Sequence, residues 1–495
     1  MIEGIEALPV FVEATTRHAG DGTPRLLGLV DACVREAYHR VLQAFFALEL
    51  PAPRGVTTVN FAPAALKKRG SGFDFPLALS LAGAAGLFPP ERARGLFAFG
   101  EISLRGEVLP ARGAISVALA ARQQDSPALL CSPTDAAACA VVEGLTVRGA
   151  ATLADAVLWL AGRRTLERAT PRPRGPDRAT AVGDLGDIRG HATPKLAMQV
   201  AAAGRHNLLF TGPPGTGKSA MLQRLPGLQP PLTDEQRISV LQVHAAAGLA
   251  PPAGDRPPLR APHHSSSAQG ILGGGADVRP GEVTLAHHGV LFLDELPEFR
   301  RDVLEAMRQP LEDGVVTVGR AQRTVTMPAQ FLLAAASNPC PCGFFGDRER
   351  ACRCTPAALA RYQRRLSGPL LDRLDLQVPV PALSAAELRG GPEPTQTTAA
   401  LRAAVRTAHH RQLARNRDAS GQFVPNGRLE ARALHDAADA TDAALDALDA
   451  CLLHGHLSPR ARTRLLRVAR TLADLDDRPR VEQHDVTAAA VLRST

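Results

Sequence analysis

Lysine is nearly missing from this chain. Of its 57 basic residues four are lysines, Lys67, Lys68, Lys195 and Lys218, and the rest are arginines. Long apolar runs are missing too. The longest, FPLALSLAGAAGLF, falls short of the roughly 20 residues that span a bilayer, so no membrane partner is expected. Glu3 and Glu6 stand where a secretory signal would carry positive charge. The chain therefore reads as cytoplasmic, a compartment in which disulfides are rare. No fixed-period repeat appears, which excludes a solenoid. What is present is 495 residues of ordinary apolar content, 45%. That excludes wholesale disorder and gives room for two to four cores. A net charge of +8 favours a polyanionic partner, nucleic acid foremost.

The clearest boundary is RRTLERATPRPRGPDRATAV, residues 163–182, whose Pro and Arg density leaves nothing to bury. Before it, GVTTVNFAP alternates like a strand and FPLALSLAGAAGL reads as a buried helix. After it comes a strand–loop–helix series to about residue 385. A second polar break, RGGPEPTQTT, precedes a helical C-terminal part. The expected division is 1–162, linker 163–182, 183–385 and 386–495. The fold class is α/β with a C-terminal helical lid.

HNLLFTGPPGTGKSAM is a strand, a Gly-rich loop and a helix start. Gly212, Pro213, Pro214, Gly215, Thr216, Gly217, Lys218 and Ser219 match G-x-x-x-x-G-K-[ST] throughout. Glycines let backbone N–H groups turn inward around phosphate oxygens, and the helix N-terminus adds its positive end. Lys218 then neutralises phosphate charge and the Ser219 hydroxyl ligates Mg²⁺. About 75 residues downstream, GVLFLDELPEF is a short buried strand ending in Asp294 and Glu295. Asp294 suits the Mg²⁺ shell, and Glu295 suits polarisation of the attacking water. FLLAAASNP is a third buried strand, whose terminal Asn338 can orient that water. SGPLLDRLDL sets Arg373 between acids, either a salt-bridge partner or an arginine finger, and LSPRARTR opens a helix with Arg460.

This order of parts resembles the AAA+ superfamily and, within it, the magnesium-chelatase-like branch. The stretches APHHSSSAQGILGGGADVRPGEVTLAHHGVLFLDELPEF and NPCPCGFFGD, CRCTP, YQRRLSGPLLDRLDL are similar to the ComM (YifB) family. The resemblance covers nearly the whole chain and is most specific from Arg260 to Asp375. It implies an ATP-driven homo-hexameric ring that moves on single-stranded or branched DNA. It also implies branch migration in natural transformation, alongside recombination proteins. By the same resemblance Asn338 is the sensor-1 residue, Arg373 a finger acting in trans, and Arg460 the sensor-2 arginine. Ile188 and His191, in GDIRGHATPKLAMQ, flank the adenine. The chain begins slightly late relative to the family, so its first strand is expected to be trimmed.

FGEISLRGEVLPARGAISVALAA, residues 99–121, resembles the proteolytic domain of Lon, of ribosomal-S5-like α/β fold. That domain pairs a Ser nucleophile with a Lys of lowered pKa. Alignment on LP and LAA puts Ile115 at the Lys position, and Phe73 or Asp74 falls nearest the nucleophile, with Ser71 close by. Active proteolysis is not expected.

Within VVTVGRAQRTVTM, two alternating strands flank the tip GRAQR. In ring ATPases of this branch a hairpin so placed points into the pore, where Arg320 and Arg323 would track DNA phosphates. A solvated hairpin tip is the alternative. The pairs His263–His264 and His287–His288 read as loop and strand-flanking residues near the nucleotide rather than as metal ligands.

Four of the eight cysteines, Cys33, Cys131, Cys139 and Cys451, are scattered and read as small buried residues. The others form two C-x-C pairs nine residues apart, Cys340 with Cys342 and Cys352 with Cys354. They suit a tetrahedral structural Zn²⁺, although C-x-C is tighter than the usual C-x₂₋₄-C. Four free thiols in an unmetallated loop is the alternative. Two further functions stay open beside the DNA motor. One is a magnesium-chelatase-type ATPase remodelling a metal-insertion partner, the other a Lon-like regulator without protease activity.

Overall fold

The computed structural model describes residues 1–17, 24–171, 183–250, 252, 254–275, 278–319, 324–347, 350–366, 368–384, 387, 389, 394–455 and 459–493. At its centre is a five-stranded, all-parallel sheet. Its order is Leu259–Arg260, Val290–Leu293, Leu332–Ser337, Leu208–Thr211, Leu376–Pro379. The sequences VLFL and LLAAAS are buried at every position. A parallel sheet covered on both faces requires such unbroken apolar runs. Register is explicit: Leu208 lies opposite Leu376 and Ala334, and Thr211 opposite Pro379 and Ser337. All five strands therefore point their C-terminal ends to one edge.

The N-terminal part folds as two three-stranded sheets with helices against them. In one, Phe11–Arg17 pairs antiparallel with Val56–Ala62, which also pairs parallel with Arg25–Leu27. In the other, Val147–Gly149, Leu129–Cys131 and Phe97–Ala98 are parallel. The helix Ala32–Ala47 starts on Asp31, whose carboxylate accepts the Val34 N–H at 2.9 Å. Satisfying an otherwise orphaned donor in this way is worth about 1 kcal/mol. The helix buries Val34, Val41 and Phe45 against Asp74–Ala84, the helix read from FPLALSLAGAAGL. One boundary moves. Leu166 is buried in this core and the Ala169 N–H reaches the Val147 carbonyl at 2.8 Å, so the first part of the span from 163 is packed against it.

The C-terminal helices do not form a separate core. Leu448, Leu465, Leu472 and Val486 lie in one apolar cluster with Val200, Phe210, Phe292 and Val378 of the sheet layer. Beneath them Arg470 and Asp474, both fully buried, pair at 2.9 Å, and Arg415 reaches the same carboxylate at 2.8 Å. Removing one member of such a group leaves an unpaired buried charge and costs about 3–5 kcal/mol. The N-terminal part docks on the central one through Ile5, which packs with Val243, Val278, Val325 and Met327. The Ile5 carbonyl there accepts from Gln242 Nε2 at 2.9 Å.

Candidate active site

Three strand ends meet at the C-terminal edge of the central sheet. Leu208–Thr211 leads into the Gly-rich loop, Val290–Leu293 into Asp294 and Glu295, and Leu332–Ser337 into Asn338. Gly217 caps the short helix Lys218–Leu222 in the left-handed region, φ 83°, a conformation that strains any residue with a Cβ. Lys218 is buried, and its Nζ donates to the carbonyls of Gly212 and Pro213, both at 2.7 Å, and reaches Asn338 Oδ1 at 3.3 Å. Burial holds its ammonium below the ordinary lysine range, and Asp294 offsets part of that. The Ser219 hydroxyl donates to Asp294 Oδ2 at 2.7 Å. Ser219 and Asp294 thus present two oxygens side by side, a donor set that fits Mg²⁺.

Glu295 adopts φ 50° and ψ 50°. A non-glycine residue held there is uncommon and marks a carboxylate aimed by its backbone. Its Oε2 lies 3.5 Å from His264 Nδ1, and the His264 ring stacks on His263 at 4.0 Å between centroids. On the other side of the loop the buried His191 ring is hydrogen-bonded to the Thr216 backbone, and burial depresses its pKa. Ile188 is half-buried, and its carbonyl accepts from Lys195 Nζ, which also reaches Gln396 Oε1 of the C-terminal part at 2.8 Å.

Other expected residues lie elsewhere. Arg373 precedes the strand Leu376–Pro379, so it stands at the N-terminal edge of the sheet, opposite the phosphate loop. The four-residue strand separates the two edges by about 13 Å. Its carbonyl accepts from Asn207 Nδ2 at 3.1 Å, and its guanidinium pairs with Glu312. Arg460 is exposed on the helix Pro459–Leu475 and joins Arg373 and Arg464 in lowering the Glu312 pKa. Arg464 in turn reaches Asp375 at 3.6 Å, so this helix also meets the Arg373 edge. Of the two histidine pairs, His264 lies at the edge that carries Glu295, whereas His287 and His288 lie at the opposite edge. Those two flank the N-terminal end of Val290–Leu293, their rings 3.8 Å apart and His287 Nδ1 accepting from the Gln330 N–H at 3.1 Å. Arg320 and Arg323 lie outside the described residues, between strands Val315–Gly319 and Thr324–Pro328, which pair as expected.

Sequence reasoning missed Asn207, whose side chain ties three strands at once. Its Oδ1 accepts from the Leu333 N–H at 3.0 Å while its Nδ2 holds the Arg373 carbonyl. The signal was an amide set immediately before an apolar strand. Glu312 and Lys195 were missed because both partners are distant in sequence.

The cysteines Cys340, Cys342, Cys352 and Cys354 converge, with all four sulfurs within 4.8 Å of one another. The Arg353 and Phe344 N–H groups push the Cys342 thiol down to about 6. In the N-terminal part Ile115 is buried in an apolar cluster, and Asp74 is engaged by Arg40 through two bonds of 3.0 Å. Lys68, fully buried, donates to the carbonyls of Gly28, at 2.7 Å, and Pro63. Among the described residues no helix is long and apolar enough to cross a membrane.

Comparison with known proteins agrees with this geometry. Residues 184–388 match the family described as magnesium chelatase, subunit ChlI, and residues 395–493 match its C-terminal family. Residues 12–135 match subunit ChlI of Mg-chelatase. The chain is 38% identical to an uncharacterized protein of Mycobacterium tuberculosis, covering 100% of this chain and 97% of that one. It is 36% identical to competence protein ComM of Haemophilus influenzae, over 99% and 96%. To the uncharacterized protein YifB of Escherichia coli it is 35% identical, over 99% and 95%.

Proposed function

The chain belongs to the magnesium-chelatase-like AAA+ ATPases of the ComM and YifB family, and on that premise we propose that it is a ring-forming motor that hydrolyses ATP to move on DNA. The observation that carries the ATPase half is the Ser219–Asp294 hydrogen bond of 2.7 Å, with Lys218 and Asn338 beside it. Backbone N–H groups of Gly215, Thr216 and Gly217 bind the phosphates, and Lys218 exchanges its carbonyl partners for phosphate oxygens. Ser219 and Asp294 hold Mg²⁺, which when bound neutralises charge on the β- and γ-phosphates. Glu295 takes the proton of the attacking water, His264 fixes its carboxylate, and Asn338 orients the water. Ile188 and His191 line the adenine side. A structural Zn²⁺ at the four cysteines completes the cofactor set.

The ring rests on Arg373 and Arg460. Both lie away from their own phosphate loop, so a neighbouring subunit's nucleotide is the one they reach, which suits a homo-hexamer. The DNA half rests on the hairpin 315–328, on the charge of +8, and on the relative named as a competence protein. Branch migration in natural transformation, with recombination proteins as partners in the cytoplasm, is what the resemblance to the ComM family implies, and the name of that relative, a competence protein, is consistent with it. The N-terminal part is read as a Lon-like domain without the dyad, because Ile115 is apolar and Asp74 is held by Arg40. The test is ATP turnover with and without single-stranded, duplex and branched DNA. Stimulation by DNA, strongest with branched substrates, is expected. The magnesium chelatase family match supports a second reading, an ATPase remodelling a metal-insertion partner. Turnover indifferent to every DNA but dependent on such a partner would replace the motor with it.

A further inference from the structure

Resting on the ATPase reading, we propose that Cys340, Cys342, Cys352 and Cys354 bind one Zn²⁺ and that the knuckle so formed braces the phosphate loop of its own subunit. The sulfur spacing fits one tetrahedral ion. Cys340 Sγ lies 3.3 Å from Cys342 Sγ and 3.7 Å from Cys352 Sγ, and Cys342 and Cys352 are 3.6 Å apart. Four thiolates on one zinc at about 2.3 Å occupy tetrahedral corners about 3.8 Å from one another. A disulfide would draw two sulfurs to about 2.05 Å. All four sulfurs fall within 4.8 Å, the spacing of ligands on a single ion rather than around several irons. Outer donors are present as well. The Cys354 N–H points at Cys352 Sγ at 3.5 Å, and the Phe344 and Arg353 N–H groups at Cys342. Such donors stabilise metal-bound thiolates. The loop is too short to bury a core, so metal binding would supply its folding energy.

The bracing follows from what the knuckle touches. Cys340 comes two residues after Asn338, whose amide oxygen is 3.3 Å from Lys218 Nζ. Gly343, inside the knuckle at φ +86°, lies so close to the phosphate loop that a Cβ there would sit 2.6 Å from Pro214 Cδ. The helix Pro356–Gln363 leaves the last cysteine on a Thr355 cap and returns Tyr362 to hydrogen-bond Ser337, at the end of the Asn338 strand. One ion thus fixes three things at once: the start of the knuckle at Asn338, its middle against Pro214, and the helix after it.

Elemental analysis of the full chain, purified from zinc-supplemented cells, should give one zinc per chain. A thiol-modifying reagent with a chromogenic zinc chelator should release that zinc as four thiols react. Absence of zinc, iron in its place, or disulfides among the four would overturn the site. None of these readouts involves nucleotide, so they stand or fall apart from the ATPase reading. Cys352→Ser with Cys354→Ser should lose the zinc. Gly343→Ala tests the brace without touching a ligand. It should keep one zinc per chain and bind a fluorescent ATP analogue several-fold more weakly. Full zinc with unchanged analogue affinity would overturn the brace.

Discussion

Ser219 and Asp294 are joined by a hydrogen bond of 2.7 Å although the strands that lead to them, Leu208–Thr211 and Val290–Leu293, are not neighbours. The strand Leu332–Ser337 lies between them in the sheet. Its last residue is followed by Asn338, which fills the gap and touches Lys218 at 3.3 Å. The order of strands therefore places a hydroxyl, an acid, an amide and an ammonium along one edge. Glu295, next to Asp294 but turned by its left-handed backbone, faces His264 instead.

These placements separate binding from turnover. Lys218→Ala should abolish ATP binding, because backbone donors alone do not offset the lost positive charge. Glu295→Gln should bind ATP normally and turn it over about 10²–10⁴-fold more slowly, the usual worth of general base catalysis. Equilibrium binding and single-turnover hydrolysis check both. Parental turnover in the Gln variant would remove Glu295 as the base.

Acid should loosen the joint between the sheet and the C-terminal helices. Burial, with Arg205 and Arg428 adding to it, depresses the His288 pKa to about 3, and burial with His410 depresses that of His409 to about 4. His287 moves the same way, again chiefly through burial. The unfolded chain takes up these protons near the ordinary histidine pKa of about 6.5, and the folded chain refuses them. Their contribution is complete above that pH and is lost as pH falls toward the folded values. Carboxylates with lowered pKa, such as Asp375 and Glu312, act only further down. The thermal midpoint should thus drop by several degrees between pH 7 and pH 5, and His288→Gln should flatten the drop. A midpoint constant across that window would refute the assignment.

How much of this was legible in the sequence depends on distance along the chain. The phosphate loop, the Asp294–Glu295 pair and Asn338 were readable because each sits at the end of an unbroken apolar run, and such a run in an α/β chain is a buried parallel strand. The strand Val56–Ala62 and the helix Asp74–Ala84 were readable for similar local reasons. Pairings such as Arg373 with Glu312, or Lys195 with Gln396, were not, since nothing local marks them. The left-handed backbone of Glu295 was equally hidden, because its neighbours, not its own residue type, impose it. His287 and His288 were misplaced for the opposite reason. Adjacency to the Asp294 strand suggested the nucleotide, but they precede that strand and so lie at its far end.

Arg373 and Arg460 should report on subunit contacts. Arg373→Ala should lower turnover by up to about 10³-fold, toward the lower range for arginine fingers, with ATP affinity nearly unchanged. Mixing it with Glu295→Gln subunits should restore activity, because each variant supplies what the other lacks at a shared interface. Glu312→Ala, which releases the Arg373 guanidinium from its partner, should have a milder effect of the same kind. Mixed rings that form but stay inactive would contradict a role in trans.

The hairpin gives the sharpest test of the DNA reading. Its ladder runs from Val315 opposite Pro328 to Gly319 opposite Thr324, and along one strand Met327, near the base, and Val325, next to the tip, pack against Ile5 of the N-terminal part. A hairpin held along its length in this way can carry force to its tip, where Arg320 and Arg323 lie in the sequence. Arginines that follow a backbone neutralise phosphates and release counterions without reading bases. Replacing both with Ala should therefore weaken binding to all sequences alike. On single-stranded DNA the slope of log affinity against log salt should fall by about 1.4 for two lost contacts. ATP turnover without DNA should stay near the parental rate, because both residues stand apart from the phosphate loop in the proposed mechanism. An unchanged salt slope would take the hairpin tip out of the DNA path and leave the motor reading without its proposed contact.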